Sequence, residues 1–117
     1  MQYLCLVYME EGVFDGMSEA EQKALTRESL DYDDELRRRG DFLSANALQP
    51  VNAATTIRVR NGRLSTTDGP FAETKEHLGG YILVEARDLN EALQIAAKIP
   101  MARFGSIEVR PVLHLEY

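Results

Sequence analysis

The stretch from Thr67 to Glu85 concentrates the residues that could do chemistry. Near its start lies Asp68-Gly69-Pro70, a combination typical of turns, and near its end a pair of glycines, Gly79-Gly80, precedes an apolar run. Because so many polar and titratable groups fall within so few positions, we expect any functional site to lie at or beside this segment. Its candidate pocket residues are Asp68, Gly69, Pro70, Phe71, Glu73, Lys75 and His77.

Two roles are open for Asp68. An aspartate before a Gly-Pro pair often accepts hydrogen bonds from local backbone N–H groups, so its carboxylate could simply cap the turn. Alternatively, the carboxylate faces a cleft between the sheet and a dimer partner and acts there as a base or a polar anchor. Phe71 is expected to pack over that cleft as a lid, and Glu76 to lie on a solvated turn of helix.

His77 is the one histidine near this segment, and the unperturbed pKa of a histidine lies near neutrality. A lone histidine is a poor catalyst without an orienting partner, so a partly exposed histidine before a strand is the other interpretation. The two histidines are far apart in a chain with a single cysteine, which does not favour a metal site. The sequence has no phosphate loop, dinucleotide fingerprint or nucleophile elbow, so no metal and no cofactor are expected.

Arg58 and Ser29 are candidates for the wall of a pocket. Arg58 shares one face of a predicted hairpin with Arg60 and Arg63, where three arginines could hold an anion or a partner subunit, or simply be solvated. Ser29 is a small polar residue on the apolar stripe of a predicted helix. Its hydroxyl either bonds back to the helix or faces the pocket.

Hydrophobic patterning predicts the elements that must position these residues. Ser18 and Glu21 form a capping box, and Gly40 suits a helix end. Asn61-Gly62 is the signal of a type I′ hairpin turn. The predicted strands are 2–9, 42–48, 80–86 and 106–115, the hairpin is 55–67, and the helices are 18–39 and one from Asp88 that stops at Pro100.

This order predicts an α+β fold, a ferredoxin-like βαββαβ sandwich with an inserted β-hairpin. The helices would cover one face of the sheet. The other face would carry apolar residues from the strands at 2–9, 80–86 and 107–115, with no element left to cover them. We therefore expect a homodimer formed through the open sheet face.

The composition bounds the function classes. The 117 residues suit a single domain, and the net charge of −6 disfavours binding to nucleic acid or to an anionic membrane. Cys5 is the only cysteine, so no intramolecular disulfide is expected. The sequence shows neither a leader pattern nor an apolar run of membrane-spanning length, and a cytoplasmic protein is expected.

The sequence from Asp68 to Glu76, followed by Leu78-Gly79-Gly80, resembles the signature of the YCII-related family, DGPF-motif branch. Leu48-Gln49-Pro50 and the segment from Gly105 to Pro111 agree with it, and the resemblance covers 1–117 as a single domain. It implies a dimeric α/β barrel built from ferredoxin-like protomers.

The chain also departs from one branch of the family at two positions. The YciI branch has a proposed active-site pair, a histidine on the first helix and an aspartate just before a proline after the second helix. Here Ser29 stands at the first position and Ile99 precedes Pro100 at the second. An acid–base mechanism of that type is therefore not implied for this chain.

Two functions from different classes remain as hypotheses. The first is a small-molecule site, with or without catalysis, in the cleft lined by the DGPF segment. The second is a non-catalytic ligand-sensing or protein-interaction module. The resemblance associates such a module with a transcriptional regulator such as an extracytoplasmic-function sigma factor. A closed, partly apolar pocket with a shifted titratable group would favour the first.

Overall fold

The structure is a computed structural model that describes residues 1–116. Two short 3₁₀ helices, Val51–Ala53 and Pro100–Arg103, join the larger elements. In this part of the chain the strands are β1 (Gln2–Glu10), β2 (Phe42–Ala47), β3 (Thr55–Arg60), β4 (Arg63–Asp68), β5 (Glu76–Glu85) and β6 (Ser106–Pro111), and the helices are α1 (Glu19–Arg39) and α2 (Leu89–Ala97).

The main sheet is antiparallel with strand order β2-β5-β1-β6, and β3 and β4 form a separate two-stranded sheet. The predicted α+β, ferredoxin-like fold with an inserted hairpin is confirmed. Among the described helices, none is long and apolar enough to cross a membrane.

Local hydrogen bonds explain where the helices begin and end. The Ser18 hydroxyl accepts from the Glu21 backbone N–H at 3.1 Å, and the Ser18 N–H donates to the Glu21 carboxylate at 3.2 Å. Gly40 ends α1 in the left-handed region, at φ 80°. At α2, the Asp88 carboxylate accepts from the Glu91 N–H at 2.9 Å.

The core lies between the sheet and the two helices. Its most completely buried side chains come from β1, α1, β5 and α2, namely Cys5, Leu36, Val84 and Ile95. Ile107 and Val109 of β6 pack against this core, which corrects the prediction that β6 adds apolar residues to the open face. On that face β6 presents Glu108 and Arg110, which form an ion pair, because strand residues alternate between faces.

Two strand boundaries differ from the prediction by more than one residue. β5 begins at Glu76 and not at Gly80, so the predicted helical turn at Glu76 is wrong. Gly79 is an unpaired bulge residue, and beyond it β5 continues to pair with β1 as far as Glu76 and Glu10. β6 ends at Pro111, which lacks the N–H that a longer ladder would need, and not at 115.

The hairpin of β3 and β4, residues 55–68, is called the arm below. Its turn has positive φ at Asn61 (52°) and Gly62 (74°), as the type I′ prediction requires. The register also agrees with the prediction, since Val59 pairs with Leu64. Nearly all residues of the arm are exposed, including its apolar face of Ile57, Val59 and Leu64.

Candidate functional site

A cleft of about 680 Å³ opens between α1 and one end of the main sheet. Its walls come from one face of α1, from residues 77–82 of β5, and from the segments 10–15, 45–51 and 99–101. The lining is mainly apolar with a few polar groups. Both the volume and the composition are typical of sites that bind small organic molecules.

Gly80 allows the strands around this cleft to approach closely. A Cβ atom at Gly80 would lie 2.8 Å from the Asn46 backbone oxygen on the neighbouring strand β2. Any larger residue would therefore push β2 and β5 apart. The glycine pair that stood out in the sequence thus serves the wall of the cleft, because residues 79 and 80 both line it.

Ser29 lines the cleft from α1, on the same helix face as the buried residues Leu25 and Tyr32. The hydroxyl of Thr26, also at the cleft, donates to the Gln22 carbonyl oxygen at 3.1 Å. Within residues 1–116 the Ser29 hydroxyl makes no such bond. It therefore keeps both its donor and its acceptor capacity for a ligand.

Asp33 lies one turn beyond Ser29 and also lines the cleft, but sequence analysis did not single it out. Burial raises the pKa of the Asp33 carboxyl, and the nearby Arg37 opposes that shift only in part. In the described part of the chain, Asp33 has no ion-pair or hydrogen-bond partner, and Arg37 pairs with Asp34 at 2.6 Å. The spacing of four residues from Ser29 is the signal that could have found it.

His77 lines the cleft from β5 and is half-buried. In the strand register, His77 lies opposite Met9 of β1, and both residues line the cleft at the same end of the sheet. No hydrogen bond to the imidazole is found among residues 1–116. Across those residues, histidine, cysteine and carboxylate side chains form no group of three or more that could hold a metal ion.

The other predicted pocket residues are not part of the cleft wall. The segment from Asp68 to Glu76, called the DGPF segment, is bound instead to the arm. Thr56 Oγ1 donates to the Gly69 carbonyl oxygen at 2.9 Å, and Arg58 Nη2 donates to the Phe71 carbonyl oxygen at 3.3 Å. The residues outside the cleft wall are Arg58, Asp68, Gly69, Pro70, Phe71, Glu73 and Lys75.

Within a single chain, neither predicted role of Asp68 is observed. Its carboxylate is exposed and, in the described chain, makes no hydrogen bond to the turn and does not line the cleft. Phe71 is 77% exposed and does not cover the cleft as a lid, because the segment follows the projecting arm. Lys75 alone among these residues contacts the rim, with its Nζ 3.4 Å from Glu10 Oε1.

Ile99 and Pro100, which follow α2, also line the cleft. Ile99 is 3% exposed and belongs to the hydrophobic core. The two positions compared with the YciI pair, Ser29 and Ile99, therefore border one cavity. Neither side chain is an acid or a base, so that type of acid–base pair is absent at these positions.

A network of contacts holds the loop that forms the rim. Phe14 packs edge-on against Phe104, with ring centroids 6.1 Å apart. Arg103, beside Phe104, pairs with both oxygens of Glu28 on α1 at 2.7 and 2.8 Å. Gln22 donates from its amide to the Phe14 carbonyl oxygen at 3.4 Å. The rim is thus tied to α1.

Comparison with known proteins gives the family and the fold. The model of the YCII-related domain matches residues 1–116. "Uncharacterized protein R00369" of Rhizobium meliloti (strain 1021) is 36% identical over 114 residues, which are 96% of this chain and 92% of that protein.

A solved structure has the same fold. It is the 5-chloro-2-hydroxyhydroquinone dehydrochlorinase (TftG) from Burkholderia phenoliruptrix AC1100, in complex with 2,5-dihydroxybenzoquinone. The likeness has a TM-score of 0.56 and 14% sequence identity, and it covers 97% of this chain and 95% of the other. At that identity the likeness shows the fold alone. On the strength of the domain match and the curated relative, the chain belongs to the YCII-related family.

Proposed function

We propose that the cleft between α1 and β5 binds a small organic molecule. The observation that carries this proposal is the set of polar groups without partners in a largely apolar cavity. Ser29, Asp33 and His77 all line it, and within residues 1–116 none makes a side-chain hydrogen bond. All three side chains are half-buried, and none of their polar atoms is both buried and unpaired, so they are free to bond to a ligand that enters the cleft.

The three groups offer complementary chemistry to such a ligand. The Ser29 hydroxyl can donate or accept, the Asp33 carboxylate accepts, and the His77 imidazole has ring nitrogens that can donate or accept. Because the YciI-type pair is absent, catalysis would depend on His77 and not on Ser29 or Ile99. A non-catalytic ligand sensor would use the same cleft, so a ligand recovered chemically unchanged after incubation favours sensing, and a converted one favours catalysis.

For the DGPF segment we propose a role at the rim of the site and not in its wall. The support is the Lys75–Glu10 ion pair, which joins the segment to the end of β1 at the border of the cleft. The Lys75 side chain is 85% exposed and the Glu10 side chain 50% exposed, so this ion pair contributes little to stability. The ion pair would instead orient the DGPF segment over the opening of the cleft.

We also propose that the protein forms a homodimer through the open face of the main sheet. The centre of that face carries Leu4, Leu6 and Leu83, which are half-buried. In the part of the chain that the structure describes, no helix covers this side of the sheet. Burial of an apolar sheet face by a second copy is a common solution.

A thermal-shift screen against a metabolite library tests the small-molecule proposal. The wild type is compared with Ser29→Leu, which fills the cleft, and with Ser65→Leu, a matched control on the exposed arm. A ligand that binds the native state raises the melting temperature by mass action. We expect ligands that stabilise the wild type and Ser65→Leu but not Ser29→Leu.

The Asp68→Ala variant distinguishes a site in the cleft from a site at the DGPF segment. Retention of the ligand shift in Asp68→Ala, with its loss in Ser29→Leu, places the site in the cleft. If the shift is lost in Asp68→Ala and kept in Ser29→Leu, the site lies at the DGPF segment and the cleft proposal is wrong. If no ligand stabilises the wild type, a protein-interaction module becomes the better account.

A further inference from the structure

We infer that the ligand of this cleft is a neutral or cationic organic molecule with an apolar ring or chain, and that anions are rejected. The inference rests on the proposed function, because it concerns the ligand class of the same site. It comes from the charges on the lining side chains, from the pairing of nearby cations, and from the shape-adaptable apolar wall.

The charged side chains that line the cleft are all acidic. They are Glu10, Glu11, Asp15 and Asp33, and within residues 1–116 no lysine or arginine lines the cavity. Sites for carboxylates or phosphates normally supply arginine, lysine or the N–H groups of a helix N-terminus. An anion entering here would lose hydration and meet four carboxylates, with the His77 imidazole as the one basic side chain in the described wall.

The N-terminus of α1 does not supply the missing positive end. Its capping residue Ser18 is absent from the cleft lining, and the Ser18 hydroxyl already accepts from the Glu21 N–H. The face of α1 that borders the cleft begins at Gln22, about one turn into the helix. The favourable effect of a helix dipole on an anion is confined to the first turn.

The lysine and arginine side chains closest to the site are already paired. At the rim, Lys75 pairs with Glu10 at 3.4 Å. Arg37, one turn beyond Asp33, pairs with Asp34 and lies over the Phe42 ring, with its guanidinium carbon 4.2 Å from the ring centroid. Arg103 pairs with Glu28 on the outside of the rim. Asp33 is therefore left as a half-buried carboxylate without a counter-ion in the described structure, and a cationic ligand group would supply one.

The body of the ligand is indicated by the apolar wall. Val7, Leu25 and Ile82 form part of it, and Met9 and Met101 add two flexible, polarisable side chains. Methionine adapts to irregular shapes and makes favourable contacts with rings. The cleft thus suits a ring or a branched chain that carries an amine or a neutral polar group directed to Asp33.

Binding measured by NMR on the full chain tests this inference. The probes are sets built on the same ring skeletons, each with a primary amine, a neutral alcohol or amide, and a carboxylate. For members that perturb the amides of Ser29 and Ile82, we expect the amine to bind roughly tenfold more tightly than its carboxylate partner, as expected for charge complementarity. Asp33→Asn should reduce that ratio to within about threefold.

Each outcome decides between the two proposals. If the amines and the neutral members bind more tightly than the carboxylates, both the ligand class and the site are supported. Carboxylates binding in the cleft as tightly as amines overturns the ligand class but leaves the site in place. If no member perturbs cleft residues, both proposals are overturned. An unchanged amine preference in Asp33→Asn would overturn the role of Asp33 as the counter-ion.

Discussion

Ser29 and Ile99 border the same cleft, one from α1 and the other from the segment that follows α2. They occupy the positions that the family resemblance compares with an acid–base pair, yet one is a neutral alcohol and the other a buried hydrocarbon. The cavity therefore combines the shape of a site with a different set of reactive groups. Its titratable lining residues come from other positions, chiefly Asp33 and His77.

The first prediction concerns the hydroxyl of Ser29. Because it makes no hydrogen bond in the described chain, Ser29→Ala should change the free energy of unfolding by less than about 0.5 kcal/mol. Urea denaturation measures this, with Thr26→Ala as a control that removes an observed bond to the helix backbone. A loss of more than about 1 kcal/mol for Ser29→Ala would mean that the hydroxyl has a partner in the native protein.

The second prediction concerns the charge on Asp33. Burial raises the pKa of this carboxyl in the folded state, so the native protein binds more protons than the unfolded chain as pH rises through the ordinary aspartate range. Ionisation of Asp33 therefore lowers stability, and the penalty is complete above the folded pKa. Asp33→Asn should raise the melting temperature at pH 7 and not at pH 3, where the wild-type carboxyl is neutral in both states.

The matched control for this prediction is the neighbouring Asp34, which pairs with Arg37 at 2.6 Å. Asp34→Asn removes a paired charge, so it should leave the melting temperature unchanged or lower it. If Asp33→Asn lowers the melting temperature at pH 7 but not at pH 3, the carboxylate is stabilised in the native state and the account of it is wrong.

The local parts of the fold could be predicted from sequence because the information is local. The capping box at Ser18, the Asn61-Gly62 turn and the hairpin register each depend on residues close in the chain. The start of β5 could not, because it depends on how far β5 continues to pair with β1 beyond a bulge at Gly79. The glycine pair marks the irregularity, but it does not show that strand pairing continues on its other side.

The site was harder to predict than the fold. Sequence analysis placed it at a conspicuous motif, but the DGPF segment follows the arm, and the cleft forms between elements that are distant in sequence. Ser29 was identified because it interrupts an apolar stripe, and His77 because it is the histidine near the motif. Asp33 was missed because charged residues on a helix are usually solvated, and its desolvation depends on neighbouring elements.

The third prediction concerns alkaline stability. Burial raises the pKa of the Cys5 thiol to about 11 and that of the Tyr32 hydroxyl to about 12. Between the ordinary pKa of each group, 9.0 for the thiol and 10.0 for tyrosine, and its folded value, the unfolded chain loses protons that the native protein retains. Stability should therefore fall above pH 9.

Urea midpoints at a series of pH values from 8 to 11 check this prediction. Cys5→Ala should flatten the decline near pH 9, although removal of the buried side chain also lowers stability at every pH. Cys5 should also resist thiol reagents at pH 8 until the protein unfolds, because the reactive species is the thiolate. Rapid native-state labelling would contradict the assigned burial.

The fourth prediction concerns the bond between α1 and α2. The Tyr32 hydroxyl donates to the Ile95 carbonyl oxygen at 2.7 Å, in a buried setting. Tyr32→Phe should therefore cost about 1 kcal/mol of unfolding free energy. Tyr3→Phe is the control, because its hydroxyl contacts only the Met1 sulfur at 3.8 Å. Equal losses in both variants would contradict a specific role for the interhelix bond.

The fifth prediction concerns the open sheet face. If that face is the dimer interface, Leu6→Arg places a charge at its centre and should convert a dimer to a monomer. Sedimentation equilibrium measures the mass of each variant. Leu64→Arg, on the exposed face of the arm, should leave the dimer intact. A wild-type protein that is monomeric, or a Leu6→Arg variant that remains dimeric, would refute this interface.

The most direct test of the central claim is the NMR footprint of a ligand selected by thermal shift. Amide shifts on addition of that ligand report which residues surround it. The account predicts perturbations along α1 from Leu25 to Asp33 and along β5 from His77 to Ile82, all of them lost in Ser29→Leu. Perturbations confined to residues 54–75, on the arm and the DGPF segment, would contradict a site in the cleft.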